Sequence, residues 1–150
     1  MSDIIFINAS PNKNGNTARL AEEVLEGKLY EQINLVDMRV YDYRQDFEDD
    51  QFDGVLTKIR GAGIVVLGSP LYWHGMSGML RNLLDRCYGP VESGSLAGKK
   101  LVFCFQGAAP EKWMLQRGEY TMKRFASLYG MEYVGMATNV GEARSLAKKL

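Results

Sequence analysis

The sequence predicts a three-layer α/β/α sandwich that forms one domain over residues 1–150. Short apolar runs, beginning with 4–7, alternate along the chain with segments whose apolar residues recur at helical spacing. The runs at 64–67 and 101–105 are continuously apolar, which is typical of strands covered on both faces. Such strands form a parallel sheet, so we expect a five-stranded parallel sheet between two layers of helices.

Five segments have the composition of strands. In chain order they are 4–7, 33–36, 64–67, 101–105 and 133–138. Because all strands of a parallel sheet point the same way, the loops that follow them meet at one edge of the sheet. Ligands of such folds bind at this carboxyl edge, beside the point where the strand order reverses. We therefore expect the functional residues in the loops after the first, third and fourth strands.

The first two helices are marked by their ends. The segment 17–26 has its apolar residues on one side and stops before Gly27. An acidic stretch, 42–53, leads into a second helix at about 50–60, where carboxylates suit the positive end of the helix dipole. The remainder of that stretch is interpreted as a solvated loop.

The last three helices are predicted at 76–87, 111–129 and 142–150. An apolar stripe at helical spacing defines the first of them and consists of Met76, Met79, Leu80, Leu83, Leu84 and Cys87. Core packing is the expected use of this stripe, although a methionine-rich face also suits contact with a partner. Gly118 weakens the helical pattern of the second, and two lysines near the end of the third suit its negative end.

Charge and cysteine content argue against several classes of protein. The chain has 18 Lys and Arg and 18 Asp and Glu, and zero net charge disfavours nucleic acid as a partner because a phosphate backbone needs a basic surface. No segment approaches the roughly 20 apolar residues of a membrane helix, so we expect no membrane association. Cys87 and Cys104 lie in apolar patterns and are interpreted as reduced core residues, as in a cytoplasmic protein. Without a CxxC spacing, we expect no metal site.

The loop after the first strand, residues 9–17, is rich in small polar side chains and precedes a helix. Backbone N–H groups in such a loop, together with the helix N-terminus, favour an anion. It matches neither GxGxxG nor GxxxxGK[ST], so a dinucleotide turn or a nucleoside-triphosphate loop is not supported. Its neutral donors and Lys13 suit a terminal phosphate monoester. The alternative is an ordinary capping turn with Asn16 or Thr17 as N-cap.

The loop after the third strand, residues 68–76, contains Tyr72 and Trp73 at the edge of the sheet. Aromatic side chains in a crevice suit a flat conjugated ligand. The alternative is that they cover the next helix. The sole histidine, His74, either bonds a ligand or is an ordinary exposed loop residue. The loop at 106–110 is built from small residues that leave room beside a ligand.

Together these loops favour a ligand with a phosphate at one end and a planar aromatic ring system at the other. Flavin mononucleotide (FMN) fits this description. The segment 7–17, Ile-Asn-Ala-Ser-Pro-Asn-Lys-Asn-Gly-Asn-Thr, resembles the GSPRKNGNT phosphate loop of the NAD(P)H-dependent FMN reductase family. The segment 69–86 resembles that family's second signature, roughly SPxYWxGxSGxLKxxLDR. The order and spacing of the two motifs agree, and the likeness covers essentially the whole chain.

The resemblance implies a flavodoxin-like fold with strand order 2-1-3-4-5, FMN as cofactor and NAD(P)H as co-substrate. The residues that it assigns to the phosphate are Ser10, Asn12, Asn16 and Thr17. Those that it assigns to the isoalloxazine are Pro70, Leu71, Tyr72, Trp73 and Gly75, with Gly107 at the other edge. The family often has a basic residue where Asn12 stands; either Lys13 replaces that charge or phosphate binding is weaker. Iron–sulfur flavoproteins, which carry extra cluster-binding cysteines, are excluded by the cysteine content.

The resemblance also implies a reaction, namely transfer of electrons from NAD(P)H through FMN to a small acceptor such as a quinone or free flavin. Because the cofactor carries the chemistry, no side chain is assigned as acid or base; Tyr72, Trp73 and His74 are candidates for shaping the flavin face. Family members commonly form homodimers, and we expect a contact near Met76, Met79 and Tyr88. A non-enzymatic electron carrier like flavodoxin is the main alternative, although such carriers are usually strongly acidic. A binding or regulatory module without redox turnover is a third.

Overall fold

Five parallel strands and five helices alternate along residues 2–150, the part of the chain that a computed structural model describes. The parallel strands are β1 (Ile4–Asn8), β2 (Glu31–Asn34), β3 (Ile64–Tyr72), β5 (Lys100–Gln106) and β6 (Glu132–Ala137), and a two-residue strand, β4 (Gly75–Met76), completes the series. The helices are α1 (Asn16–Val24), α2 (Phe52–Gly61), α3 (Gly78–Arg86), α4 (Lys112–Tyr129) and α5 (Val140–Ala147).

The strands pair in the order β2-β1-β3-β5-β6, while β4 pairs antiparallel with the end of β3. When the short β4 is set aside, this is the predicted order 2-1-3-4-5, and the three-layer α/β prediction is confirmed. The order reverses beside β1, between β1 and β3. The point of reversal therefore lies between the ends of the two strands whose following loops carry both sequence motifs.

The alternation of side chains along the strands divides the core between the two faces of the sheet. On β1, Ile5 and Ile7 pack with residues of α2, α3 and α4, whereas Phe6 packs on the opposite face with residues of α1 and α5. All three side chains are fully buried. A strand that is buried on both faces reads as a continuous apolar run, which explains the run at 4–7 in the sequence.

Both cysteines are free thiols within the core, as predicted. Cys87 follows α3 and Cys104 lies in β5. Burial raises the pKa of each thiol to about 12, so both stay protonated at neutral pH. Since the thiolate is the reactive form, neither cysteine has the environment of a nucleophile or a metal ligand.

The second strand is displaced from its predicted position at 33–36. β2 ends at Asn34, and residues Leu35–Asp37 form a short 3-10 turn. β2 ends at Asn34 because it pairs only with β1, whose last residue, Asn8, is in register with Asn34. Of the two apolar residues that follow, Leu35 packs onto the core from this turn and Val36 is exposed, so their apolar character does not reflect a strand.

The third strand is longer than predicted and includes much of the expected loop. The apolar run stops at Leu67, but β3 continues to Tyr72, with Pro70 in register with Gln106 of β5. The carbonyl of Gly68 faces β1, and the pairing of β1 with β3 ends at Gly68. The nitrogen of Pro70, two residues later, faces the same side beyond the end of β1. Proline is tolerated there because no strand needs a hydrogen bond from that nitrogen.

Met76 belongs to β4 and not to the helix that its spacing predicts. Leu71 pairs with Met76 and Tyr72 with Gly75, so the chain folds back on β3 before α3 begins at Gly78. The remaining members of the stripe do form the buried face of α3, and Met76 and Met79 are half-buried and pack against the same core. Core packing of the stripe is therefore confirmed.

The acidic stretch is not merely a solvated loop. Asp50 accepts a hydrogen bond from the backbone N–H of Phe52 at 2.8 Å, which caps the start of α2. Its other oxygen lies 2.6 Å from Nη1 of Arg86, and both side chains are largely buried. Arg86 also donates to the carbonyl of Tyr41 at 2.7 Å. This helix-borne arginine therefore fixes the stretch against α3, a long-range contact that local composition does not reveal.

The last helix starts earlier and ends earlier than the predicted 142–150. Asn139 is its N-cap, with its side-chain oxygen accepting from the N–H of Glu142 at 2.9 Å. The cap residue is the local signal that defines α5 as Val140–Ala147. The fourth helix agrees with its prediction to within one residue and ends at Gly130, whose φ is 81°.

Candidate functional site

The carboxyl ends of β1, β3 and β5 lie side by side, which brings the three predicted loops together. Asn8 at the end of β1 is in register with Gly68, and Pro70 is in register with Gln106 at the end of β5. Gly68 leaves the narrow space that this needs, because an added Cβ would stand 2.7 Å from both Phe6 Cε1 and Thr17 Cγ2. The predicted juxtaposition of the first, third and fourth loops is thus present.

The first loop is shaped by Asn8, a fully buried side chain. Its amide nitrogen donates to the carbonyl of Asn12 at 3.2 Å, and its oxygen accepts from the N–H of Ser10 at 3.1 Å. Ser10 Oγ in turn accepts from the N–H of Asn12 at 3.1 Å. A single amide side chain at the end of the strand therefore holds the loop by both its donor and its acceptor.

Two further amides extend this support from β2. Gln32 Nε2 donates to the carbonyl of Lys13 and to Asn34 Oδ1, both at 2.8 Å. Asn34 Oδ1 also accepts from Asn8 Nδ2 at 3.2 Å. The Lys13 ammonium pairs with Asp37 at 2.6 Å across the surface. The loop is consequently held by neutral dipoles, and its one basic side chain is engaged by a carboxylate.

The helix after this loop begins without a side-chain cap. Its N-cap is Gly15, so the interpretation of Asn16 or Thr17 as N-cap is wrong: both are helical residues of the first turn. A Cβ at Gly15 would lie 2.9 Å from Asn12 Cβ, so glycine lets the loop close tightly onto the helix. The first N–H groups of α1 receive no side-chain acceptor and are available to an anion.

Thr17 is buried and points into the seam between the strands. Its Oγ1 accepts from Gln106 Nε2 at 3.2 Å, which ties the start of α1 to the end of β5. The hydroxyl keeps its own proton as a donor. Thr17 therefore links the first and fourth loops, a contact that runs underneath the place predicted for the ligand.

A pair of buried serines joins the first loop to the β3–β4 hairpin, residues 71–76. Ser77 Oγ donates to the carbonyl of Ala9 at 2.7 Å and accepts from the N–H of Leu80, capping α3. The N–H of Ser77 donates to Ser69 Oγ at 2.8 Å. The backbone of Ala9 also donates to the carbonyl of Gly68 at 2.8 Å. These bonds fix the relative position of the two motifs.

The tip of the hairpin is a two-residue turn in an unfavourable conformation. Trp73 and His74 have φ of 48° and 63°, the pattern of a type I′ turn that normally selects Asn and Gly. The Trp73 side chain is 98% exposed and that of Tyr72 is 46% exposed. His74 is exposed and meets the ring of Trp113 edge-on, with 5.6 Å between centroids. The Trp73 side chain therefore does not cover α3, as the alternative interpretation required of it.

Leu71 and Gly107 stand opposite each other beside the hairpin. A Cβ at Gly107 would lie 3.0 Å from Leu71 Cβ, so the two backbones approach closely at this edge. Leu71 packs against the core, while Gly75 has open space where a side chain would be. Leu71, Gly75 and Gly107 therefore present little side-chain bulk next to the exposed aromatic rings, and we call this strip the hairpin shelf.

The predicted site residues thus fall into two groups on one edge of the sheet. The first, around the start of α1, comprises Ser10, Asn12, Asn16 and Thr17. The second, around the hairpin, comprises Pro70, Leu71, Tyr72, Trp73, Gly75 and Gly107. Uncapped helical N–H groups with neutral donors fit a phosphate, and the hairpin shelf with its exposed rings fits a flat aromatic group. The hydrogen-bond donors of the first group fit the phosphate of FMN, and the apolar and aromatic residues of the second group fit its ring system.

Sequence reasoning missed the residues that support these groups. They are Asn8, Gln32, Asn34, Ser69, Ser77 and Gln106. Five of them lie on strands β1, β2, β3 and β5, and Ser77 is the N-cap of α3; each bonds to a residue of another segment. A buried position for Asn8 could have been noticed, because a polar residue directly after a buried apolar run must find a hydrogen-bonding partner.

The family model described as NADPH-dependent FMN reductase matches residues 2–144 of this sequence. The chain belongs to that family. FMN is the family's cofactor, and the flavodoxin-like architecture and the two motifs agree with this assignment. The resemblance inferred from the motifs is therefore confirmed.

Curated relatives have related names. The chain is 32% identical over 95 residues to a Bacillus subtilis protein named as an NAD(P)H-dependent FMN-containing oxidoreductase, YwqN, covering 55% of this chain and 50% of that protein. It is 34% identical over 97 residues to an iron–sulfur flavoprotein of Methanocaldococcus jannaschii, with the same coverage. The chain thus spans about half the length of the curated relatives that it matches.

Solved structures share the fold at lower identity. A Trp repressor binding protein from Bacillus subtilis superposes with a TM-score of 0.77 at 21% identity, covering 95% of this chain and 96% of that one. An FMN-dependent NADH-azoreductase from Bacillus anthracis, solved in complex with FMN, superposes with a TM-score of 0.66 at 16% identity, covering 97% and 94%. At such identities the likeness establishes the architecture.

Two further observations concern residues 2–150. None of the helices in this range combines the length and apolar character of a membrane span. Within the same range, His, Cys, Asp and Glu side chains do not gather in groups of three or more that could hold a metal ion.

Proposed function

We propose that the chain is an FMN-dependent oxidoreductase that takes electrons from NAD(P)H and passes them to a small acceptor such as a quinone or free flavin. The observation that carries this proposal is the junction of the two motifs at one sheet edge, in a chain that matches the FMN reductase family over 2–144. The names of the family and of its curated relative YwqN describe the same chemistry.

In this proposal the phosphate of FMN lies at the N-terminus of α1. Ser10 and Thr17 donate through their hydroxyls, Asn12 donates through its side-chain amide, and Asn16 donates through its side-chain amide or its backbone N–H. Support comes from the uncapped first turn and from Asn8, which holds the loop. The positive end of the helix dipole takes the place of a basic side chain, since Lys13 is paired with Asp37.

The isoalloxazine lies over the hairpin shelf, against residues 70–73 and Gly75, with Gly107 at its far edge. Support comes from the exposure of Tyr72 and Trp73 and from the open space at Gly75. The bound flavin supplies the redox chemistry, accepting hydride from NAD(P)H and giving electrons to the acceptor. The protein binds and orients, and we assign no side chain as an acid or base.

We also propose a homodimer in the cytoplasm. A single chain leaves Trp73 at the hairpin tip open to solvent, and Tyr88, which belongs to the predicted contact with Met76 and Met79, is a large exposed side chain. Two free thiols suit a reducing compartment. Light scattering on the active protein tests the dimer, and a strictly monomeric active enzyme contradicts it.

The test begins with the absorbance spectrum of the purified protein, with and without added FMN. We expect a flavin spectrum with one FMN per chain, bleached anaerobically by NADPH or NADH and restored by a quinone. Protein that ignores added FMN contradicts the cofactor site. Protein that binds FMN but oxidises neither nucleotide contradicts the enzyme and favours an electron carrier or a binding module.

A further inference from the structure

A cleft of about 300 Å³ opens beside the hairpin, on the side of α3 and α4. Its lining includes His74 and Met76 from the hairpin, Arg81 from α3, and Arg117 and Thr121 from α4. The cleft is continuous with a second groove between the two helices, because Arg81 and Thr121 line both. Gly75 is common to this cleft and to the proposed flavin site, and Arg81 lies within the second signature, but the motif assignments give neither Arg81 nor Arg117 a role.

The cleft carries two arginines whose charges are not neutralised by the protein. Arg81 and Arg117 are exposed and face the cleft from different helices. Within residues 2–150 neither guanidinium has a carboxylate within ion-pair distance or a side-chain hydrogen bond. The lining of the cleft itself includes no Asp or Glu, and Asp85 lines only the adjoining groove. Arg86, on the same helix as Arg81, shows the contrast because Asp50 pairs with it.

Arg117 contacts the ring of Trp113, which in turn contacts His74 of the hairpin. Its guanidinium carbon lies 5.7 Å from the centroid of the Trp113 ring. Trp113 is fixed by its Nε1, which donates to Glu111 at 2.7 Å, and by its edge contact with His74. One arginine is therefore placed by the same turn that borders the proposed flavin site.

We propose that the cleft formed by Arg81 and Arg117 binds phosphate groups of the pyridine dinucleotide. The inference rests on the proposed function, in which NAD(P)H approaches the flavin at the hairpin. Guanidinium groups stay charged at all working pH values and present paired N–H donors that match phosphate oxygens. A dinucleotide whose nicotinamide lies over the flavin carries its pyrophosphate and adenosine past the hairpin, toward α3 and α4. Two phosphate groups of the nucleotides match these arginines, namely the 2′-phosphate of NADPH and the pyrophosphate that NADPH and NADH share.

The kinetic test uses FMN-loaded enzyme with the variants Arg81→Gln and Arg117→Gln. Lys123→Gln is the matched control, since it removes one charge from α4 at a residue that pairs with Glu119 outside the cleft lining. We expect each arginine variant to raise KM about tenfold or more with kcat little changed, as for lost ground-state binding. A rise for NADPH alone identifies the 2′-phosphate, and an equal rise for NADPH and NADH identifies the pyrophosphate. Unchanged KM for both nucleotides overturns the proposal.

A binding measurement separates this inference from the proposed activity. Calorimetric titration of the FMN-loaded protein with NADP⁺ and NAD⁺ needs no turnover. We expect binding to wild type and to Lys123→Gln, and an affinity at least tenfold weaker in each arginine variant. Equal affinity in all four proteins, or no binding to any of them, refutes the phosphate site even if the enzyme is active. Weakened binding in a protein that oxidises neither nucleotide upholds the cleft while the enzymatic proposal fails.

Discussion

The two halves of the candidate site are built in opposite ways. The backbone of the first loop, 9–17, is held by the buried amide of Asn8, and the half-buried amides of Gln32 and Asn34 add to this support. The hairpin, 71–76, ends in two bulky residues at positive φ, with Trp73 almost fully exposed. One half uses side-chain hydrogen bonds to hold its own backbone, and the other leaves an unfavourable turn and a large apolar side chain in water.

This difference follows from what each half is proposed to bind. A phosphate is small and needs fixed N–H groups, so preorganisation of the loop lowers the cost of binding it. A tricyclic ring binds through a large apolar contact area, and aromatic side chains that are exposed in the free protein already provide such a surface. Backbone strain persists only where the surroundings enforce it and is concentrated at functional sites. The hairpin is enforced by its pairing with β3 and by the cap at Ser77.

The largest expected effect comes from removing the support of the first loop by Asn8→Ala. The carbonyl of Asn12 and the buried N–H of Ser10 would lose their partner, which costs about 1–3 kcal/mol of unfolding free energy. We also expect FMN to bind at least tenfold more weakly, because the loop would no longer be fixed. Urea denaturation and fluorescence titration with FMN measure the two effects.

The matched control is Asn14→Ala in the same loop, because the Asn14 side chain is exposed and no hydrogen bond to it is formed within residues 2–150. We expect its stability to change by less than about 0.5 kcal/mol, as for surface positions generally. If Asn8→Ala behaves like Asn14→Ala, the internal support is not what distinguishes this loop.

Asn8 also shows where prediction from sequence reaches its limit. The alternation of elements and the meeting of the loops could be predicted, because they follow from apolar patterns and from the geometry of parallel sheets, and the strand order was implied by the family resemblance. The support network could not, because its bonds join residues such as Asn8 and Asn34 that lie far apart in the chain. The extension of β3 to Tyr72 was missed for a similar reason: pairing with β5, and not local composition, carries the strand past Pro70.

An intermediate effect is expected at the hairpin from the double change Trp73→Asn with His74→Gly. Asn-Gly is the favoured sequence for a type I′ turn, so relief of the positive φ should stabilise the fold by about 1 kcal/mol. At the same time FMN binding should weaken, because the exposed ring is lost. Thermal denaturation and FMN titration should therefore move in opposite directions, as expected where stability is exchanged for function.

Arg44→Gly provides the control for this pair. Arg44 also has positive φ, at 70°, but lies between β2 and α2, away from the hairpin. We expect similar stabilisation with no change in FMN affinity. Stabilisation at Arg44 without stabilisation at the hairpin would show that the turn is not strained, and the contrast between the two halves would weaken.

The smallest effect is expected from Lys13→Met, which removes the only basic side chain of the first loop. The ion pair with Asp37 is about half exposed on both sides, at 51% and 53%, and such pairs contribute about 0–1 kcal/mol. Because the ammonium already faces a carboxylate, we expect FMN affinity to fall by less than about threefold, a change of under 1 kcal/mol. The companion variant Asp37→Asn releases the ammonium, and FMN affinity should then rise and become more sensitive to salt. A tenfold loss of FMN affinity in Lys13→Met would mean that the ammonium contacts the phosphate directly. The first loop would then bind its anion through a basic side chain and not through neutral dipoles.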